Sequence, residues 1–150
     1  MTCRPLKASD SKALAALLAA EPIVADYAAH AADALAEDKS EVWGYERDGA
    51  LAGAIVIALG PFDAEINSLV VAEPYRRSGV GQQLIAQAIA RARALGKERL
   101  LLEVREGNTA AIRLYQRQGF SIDGRRAQYY PPLAGQVTRE AACLMSLSTA

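Results

Sequence analysis

Arg76-Arg77-Ser78-Gly79-Val80-Gly81 stands between an apolar, strand-like segment (Ile66, Leu69, Val70, Val71) and a strongly periodic helix. A strand, a glycine-bearing loop and a helix N-terminus make an anion site, because unpaired amides and the positive end of the helix dipole point into the loop. Gly79 and Gly81 carry no Cβ, so the backbone can turn tightly and approach a pyrophosphate, while Arg76 and Arg77 add charge. Two glycines alone fit equally a turn that only starts a helix. Two other phosphate loops do not fit. No Lys-Ser or Lys-Thr follows a glycine, which excludes a nucleoside-triphosphate loop. Leu84 stands where a dinucleotide loop needs its third glycine, and Ala72 to Arg76 separate the strand from the loop.

Downstream, Glu103 interrupts the apolar run Leu100-Leu101-Leu102. A carboxylate in such a strand needs a reason, since an unpaired buried charge is costly. It could pair with Arg105 or Arg126, reach solvent as the strand ends, or serve as a general base. Asn108 suits the N-cap of a short helix that Gly119 closes, and Tyr115 in that helix can pack with Leu114 and Phe120. Tyr129-Tyr130-Pro131-Pro132 reads as a packed loop between the last two strands, Phe120 to Arg126 and Ala141 to Leu147.

The elements that must hold these residues follow from periodicity. Val80, Leu84, Ile85, Ala88, Ile89, Ala92 and Leu95 recur at helical spacing, and Gly96 ends the helix. Arg99 to Val104 then predicts a central strand covered on both faces, parallel to Ala64–Val71 through a helical crossover. Glu41–Arg47 and Leu51–Leu59 predict an antiparallel pair joined by a tight turn at Asp48-Gly49, with Trp43 and Tyr45 on a packed face. Thr2–Leu6 predicts an edge strand, followed by a helix capped by Ser9 or Asp10 that presents Leu14, Leu17 and Leu18 and ends at Glu21-Pro22. A second, alanine-rich helix spans about Ala25 to Ala36, and its His30 reads as a surface residue.

The loop resembles the acetyl-CoA pyrophosphate loop of the GNAT superfamily of N-acetyltransferases, whose pattern is Gln/Arg-x-x-Gly-x-Gly/Ala before a long helix. Leu102-Glu103-Val104-Arg105, Asn108, Ala110-Ala111-Ile112, Leu114-Tyr115, Gly119-Phe120 and Arg125-Arg126 with Tyr129-Tyr130-Pro131 are similar in order and spacing to the RimI-type ribosomal-protein alanine N-acetyltransferases of bacteria. The resemblance is close from about Ile66 to Leu147 and faint before Ala50. It implies one α/β domain over residues 1–150, with a central, mixed, splayed sheet of about six or seven strands and about four helices. Acetyl-CoA would sit where the strands Ala64–Val71 and Arg99–Val104 part. The resemblance assigns the pantetheine and thioester to the backbone of Leu69, Val70 and Val71. It assigns the pyrophosphate to Arg76, Arg77, Ser78, Gly79, Val80, Gly81 and Gln82. Asn108 would touch the pantetheine or phosphate arm. Glu103 would be the general base, directly or through water, and Tyr115 would supply a proton to the departing thiolate. Tyr129 and Tyr130 would help line the acceptor slot. Two departures stand out: Leu133 to Thr138 is longer than the family pattern, and Glu140-Ala141 replaces the usual Asp-Ala.

The implied reaction is direct acetyl transfer to a primary amine. At neutral pH, deprotonating an α-amine costs roughly 1.4 kcal/mol, against about 4.6 for a lysine. That difference favours a protein or peptide N-terminus, such as that of a ribosomal protein. A small-molecule amine is the alternative acceptor. A non-catalytic acyl-CoA-binding protein is a third reading, and the joint presence of Glu103 and Tyr115 argues against it.

Composition agrees. The 17 Lys and Arg balance the 17 Asp and Glu in a chain of 150 residues, so no net field draws it to nucleic acid or an acidic membrane. Cys3 and Cys143 lack metal spacing and read as reduced thiols, Cys143 as a buried one. Met1 to Asp10 has no apolar leader, and Ala50 to Leu59 is too short to span a bilayer. A cytoplasmic protein, monomeric or homodimeric and without a metal, is expected.

Overall fold

In the computed structural model, which describes residues 3–20, 34–132 and 135–150, the alternating segments around Asp48-Gly49 form a hairpin. Its strands are β2 (Ser40–Arg47) and β3 (Ala50–Leu59). Asp48 (φ 54°) and Gly49 (φ 77°) supply the two left-handed positions that a two-residue hairpin turn requires. The short strand β1 (Cys3–Pro5) lies outside β2, and β4 (Ala64–Val71) runs antiparallel to β3 on the other side. The chain then passes through α2 (Val80–Ala94) into β5 (Arg99–Arg105), which pairs parallel to β4. After α3 (Thr109–Arg117), β6 (Ser121–Tyr130) and β7 (Glu140–Ser148) complete the sheet, with β7 inserted between β5 and β6. With α1 (Ser11–Ala19), the described residues hold three α-helices and one mixed seven-stranded sheet of order β1-β2-β3-β4-β5-β7-β6. No helix among them is long and apolar enough to cross a membrane. Residues 25–33 of the expected second helix, including His30, lie outside the described residues.

Each face of the sheet has its own core. Val80, Leu84, Ile85, Ala88, Ile89 and Ala92 of α2 pack on Ile55, Ile57, Ile66, Leu100 and Leu102, with Cys143 buried in the same cluster. Leu14, Leu17 and Leu18 of α1 pack on Val42, Ala54, Val56 and Val70 of the opposite face. Helix α2 ends as its glycine predicts: Gly96 is left-handed (φ 71°), and the Lys97 N–H reaches back to Ala92 O at 2.9 Å. Leu95, placed in the apolar stripe by spacing, is 40% exposed, because the helix has already closed at Ala94.

Gly53 lets α2 sit close to the sheet. A Cβ there would lie 2.9 Å from Val70 O and 3.0 Å from both Leu84 Cδ1 and Val80 Cγ1. Gly53→Ala is therefore expected to cost about 1–3 kcal/mol in chemical denaturation, since a backbone carbonyl and the first turn of α2 would have to shift.

Three expectations change. Asp10 does not cap α1 through its side chain. It pairs instead with both terminal nitrogens of Arg4 (2.8 and 3.0 Å) and accepts the Lys7 N–H at 2.9 Å. These bonds, Arg4 foremost, hold its carboxyl well below the usual range, at about 2. A carboxyl depressed in the folded state stabilises above its unfolded pKa and loses that contribution as pH falls through the folded value. Asp10→Asn should thus lower Tm at neutral pH, with the gap to wild type closing between about pH 4 and about pH 2.

The second change concerns β5. It is not covered on both faces: Leu100, Leu102 and Val104 are buried, whereas Leu101, Glu103 and Arg105 are half-buried on the opposite face. The third concerns Tyr129 and Tyr130, which belong to β6 and not to a loop. Arg126 pairs with Ala142 and Tyr130 with Glu140, so Ala127, Gln128 and Tyr129 oppose Ala141 alone. Gln128 absorbs this irregularity at φ 52°, and the break in alternation makes the strand look finished too early.

Candidate active site

Strands β4 and β5 pair only at Ala64↔Leu100, Glu65↔Leu101 and Ile66↔Leu102. The ladder between β3 and β4 explains why the pairing stops there. Ile57 faces Ile66 while Val56 faces Ser68, leaving Asn67 as an extra residue in β4. A bulge bends and twists its strand, and this one sits where β4 leaves β5. It also resets the alternation, so Ala64, Ile66, Leu69 and Val71 all face the α2 core despite the three-residue step from Ile66 to Leu69.

Beyond the bulge, Ala72 N–H donates to Ala52 O at 2.8 Å. Alternation along the antiparallel ladder then turns the polar backbone of Val70 toward β3 and that of Leu69 and Val71 into the split. Of the three residues expected to offer backbone groups, Leu69 and Val71 face the opening and Val70 faces the neighbouring strand. Arg76 Nε donates to Val71 O at 3.2 Å and ties the loop to the mouth of the split.

The loop itself begins with a single 3-10 turn, Glu73–Tyr75, and the Ser78 hydroxyl donates to Tyr75 O. Arg77 (φ 59°) and Gly79 (φ 90°) are both left-handed. Nothing lies within 4 Å of a Cβ placed on Gly79, so its glycine answers to φ and not to crowding. Arg77 holds a conformation that costs an ordinary residue energy, a feature that clusters at ligand sites. No side chain caps α2, and its first intrahelical bond is Gln83 N–H to Gly79 O at 3.0 Å. The amides of Val80, Gly81 and Gln82 thus open into the loop, where they can hold an anion. These features fit a pyrophosphate. A Cβ on Gly81 would reach Leu114 Cδ2 (3.4 Å) and Val71 Cγ2 (3.6 Å), so this turn already lies against both α3 and β4.

Glu103 is the first residue of β5 beyond the last β4 pair, on the face opposite α2. Of the partners that spacing left open, Arg126 is the one found, at 3.7 Å from Glu103 Oε1, while Arg105 pairs with Glu140 at 3.3 Å. The Glu103 side chain is 25% exposed and remains reachable. Glu65 shares its face, a residue that spacing did not single out. Burial first, and then the negative charge of Glu103, push its carboxyl upward, with Arg126 offsetting part of the rise. A cleft of about 460 Å³ opens beside Glu65, also lined by Lys39, Ala58, Phe62, Asp63 and Leu101.

Asn108 caps α3, its Oδ1 accepting the Ala111 N–H at 3.2 Å. Tyr115 is only 6% exposed and meets Phe120 edge-on, with centroids 5.5 Å apart. Burial pushes its phenol pKa well up, so the hydroxyl stays neutral and keeps its proton to offer as a hydrogen-bond donor. Tyr129 and Tyr130 stack edge-to-face at 5.0 Å; Arg126 lies 4.8 Å over Tyr129 and Arg105 lies 4.6 Å over Tyr130. Trp43 stands apart from this group, against Arg91 of α2 at 5.7 Å, with its Nε1 donating to Glu41 at 2.9 Å.

The acetyltransferase (GNAT) family matches residues 12–120. The [ribosomal protein bS18]-alanine N-acetyltransferase of Escherichia coli (strain K12) is 34% identical over 101 residues, which cover 67% of this chain and 66% of that protein. A Mycobacterium leprae protein of uncharacterised role is 39% identical over 71 residues, 47% of this chain and 19% of its own length. The chain thus spans less than two thirds of the length of each relative. Among solved structures, the ribosomal-protein-S18-alanine N-acetyltransferase from Escherichia coli superposes with a TM-score of 0.89 at 26% identity, covering 99% of this chain and 94% of that one. Nourseothricin acetyltransferase superposes with a TM-score of 0.67 at 32% identity, covering 75% and 67%.

Proposed function

From the premise that the chain belongs to the acetyltransferase (GNAT) family, we propose that it transfers the acetyl group of acetyl-CoA directly to the N-terminal α-amine of a protein or peptide. The observation that carries this reading is the split between β4 and β5, which brings backbone polar groups outside the β4–β5 ladder, an open helix N-terminus and Glu103 to one opening. Arg76, Arg77 and the amides of Val80, Gly81 and Gln82 hold the pyrophosphate. The backbone of Leu69 and Val71 aligns the pantetheine arm, and an amide there polarises the thioester carbonyl. Asn108 contacts the same arm while capping α3.

Glu103 takes a proton from the acceptor ammonium, directly or through water. The freed amine attacks the thioester carbon, the carbon–sulfur bond breaks, and Tyr115 hydrogen-bonds the leaving thiolate, which becomes free CoA by taking up the second proton that the nitrogen sheds on becoming an amide. Tyr129 and Tyr130 wall the acceptor slot. Both reactants must be held together, so much of the rate comes from positioning.

The E. coli relatives, both named as alanine N-acetyltransferases, support an α-amine, as does the lower cost of deprotonating it. The likeness to nourseothricin acetyltransferase favours a second reading, a small-molecule amine as acceptor. Purified protein incubated with acetyl-CoA, alanine-starting peptides, internal-lysine peptides and small amines, with products read by mass spectrometry, separates them. One acetyl on peptide N-termini supports the first reading; labelling confined to small amines supports the second.

A further inference from the structure

Glu140 has no part in the chemistry above, yet it touches both sides of the site. It opens β7, faces Tyr130 across the β6 ladder, and lies two positions before Ala142, the partner of Arg105 on β5. Its Oε2 accepts the Gly107 N–H at 2.6 Å, and its Oε1 lies 3.3 Å from Arg105 Nη1. Gly107 is matched to it: a Cβ at that position would stand 2.6 Å from Glu140 Oε2 and displace the carboxylate. The pair with Arg105 is shielded, the two side chains being 14% and 23% exposed, so water screens it little.

From Arg105 the contacts run without a gap to the candidate base. Arg105 lies over Tyr130, Tyr130 stacks on Tyr129, Tyr129 carries Arg126, and Arg126 pairs with Glu103. In the other direction, Gly107 adjoins Asn108, the cap of α3 and the residue assigned to the cofactor arm.

We propose that Glu140 is a positioning residue that fixes the cofactor-side loop through Gly107 and the acceptor-side tyrosine wall through Arg105, so that both halves of the site share one carboxylate. Its acceptor half rests on the acetyl transfer proposed above; its loop half does not. Glu140→Gln keeps a carbonyl oxygen for the Gly107 N–H but turns an amide donor toward the Arg105 guanidinium, so it breaks only the second arm. Glu140→Ala breaks both.

The test combines steady-state kinetics on an alanine-starting peptide with amide hydrogen exchange at Gly107 in the ligand-free protein. Glu140→Gln should raise the peptide KM about tenfold, leave the acetyl-CoA KM within about twofold and keep Gly107 exchange as in wild type. Glu140→Ala should raise both KM values and speed Gly107 exchange about tenfold. Glu140→Gln combined with Tyr130→Leu should give a peptide KM no higher than Tyr130→Leu alone, because the two changes interrupt one path. Equal effects of Gln and Ala on all readouts, a peptide KM unchanged in Glu140→Gln, or an additive double variant would overturn the proposal. Should the wild-type protein acetylate no amine, the proposed function fails, and Gly107 exchange still decides the loop half: equal exchange in Gln and Ala overturns it.

Discussion

Glu103→Gln is expected to lower kcat/KM for an alanine-starting peptide by about 10²- to 10⁴-fold at pH 7, with the acetyl-CoA KM held within about twofold. Gln preserves the size and length of the side chain, so β5 and its ladder to β7 stay intact. What disappears is the proposed proton acceptor at the point where β4 and β5 part. The deficit should narrow as pH rises above about 8, because an α-amine that is already neutral no longer needs a base. The same loss at pH 6.5 and at pH 9.5 would instead make Glu103 a fixed charge, paired with Arg126, and would remove it from proton transfer.

Tyr115→Phe is expected to reduce kcat by roughly 10- to 100-fold while acetyl-CoA affinity and Tm stay close to wild type. Phe keeps the ring that meets Phe120 edge-on and fills the same buried volume, so the change isolates the hydroxyl. Donation from an ordinary phenol to a thiolate of pKa near ~8.5 is uphill by about 2 kcal/mol, and burial widens that gap here. In the proposed mechanism the hydroxyl therefore acts by hydrogen bonding to developing charge on sulfur, and full proton transfer from it is not required. Because its pKa has moved away from neutrality, Tyr115 adds no basic limb to the rate profile below pH ~10. Unchanged turnover in Tyr115→Phe, read by steady-state kinetics, would exclude the hydroxyl from the reaction.

The loop and α2 were legible because their signals are local. Apolar residues at helical spacing, two glycines within a six-residue loop and a stop at Gly96 each depend on neighbours within a turn or two. The hairpin at Asp48-Gly49 was legible for the same reason, since two left-handed residues between alternating strands leave few other folds. Asn108 capped its helix as its residue type predicts, while Asp10 did not, because Arg4 and the Lys7 N–H, held near it by the fold, occupied its carboxylate first.

The amino-acid sequence by itself determined where the anion loop lies, which helix follows it, and which carboxylate and tyrosine could flank a reaction. The loop and helix are matters of residue type and short spacing; the carboxylate and the tyrosine were singled out by the family resemblance. Tertiary structure alone decided how they meet. The extra residue at Asn67 leaves only a three-residue step between Ile66 and Leu69 in the sequence, and only pairing with β3 exposes it as the bulge beside the split. Which arginine serves Glu103, and that Glu140 bridges Gly107 to Arg105, depend on β7 entering the sheet between β5 and β6. Chain order does not encode that placement locally. It follows from which strands bury the most apolar surface together, a choice made over the whole sheet at once.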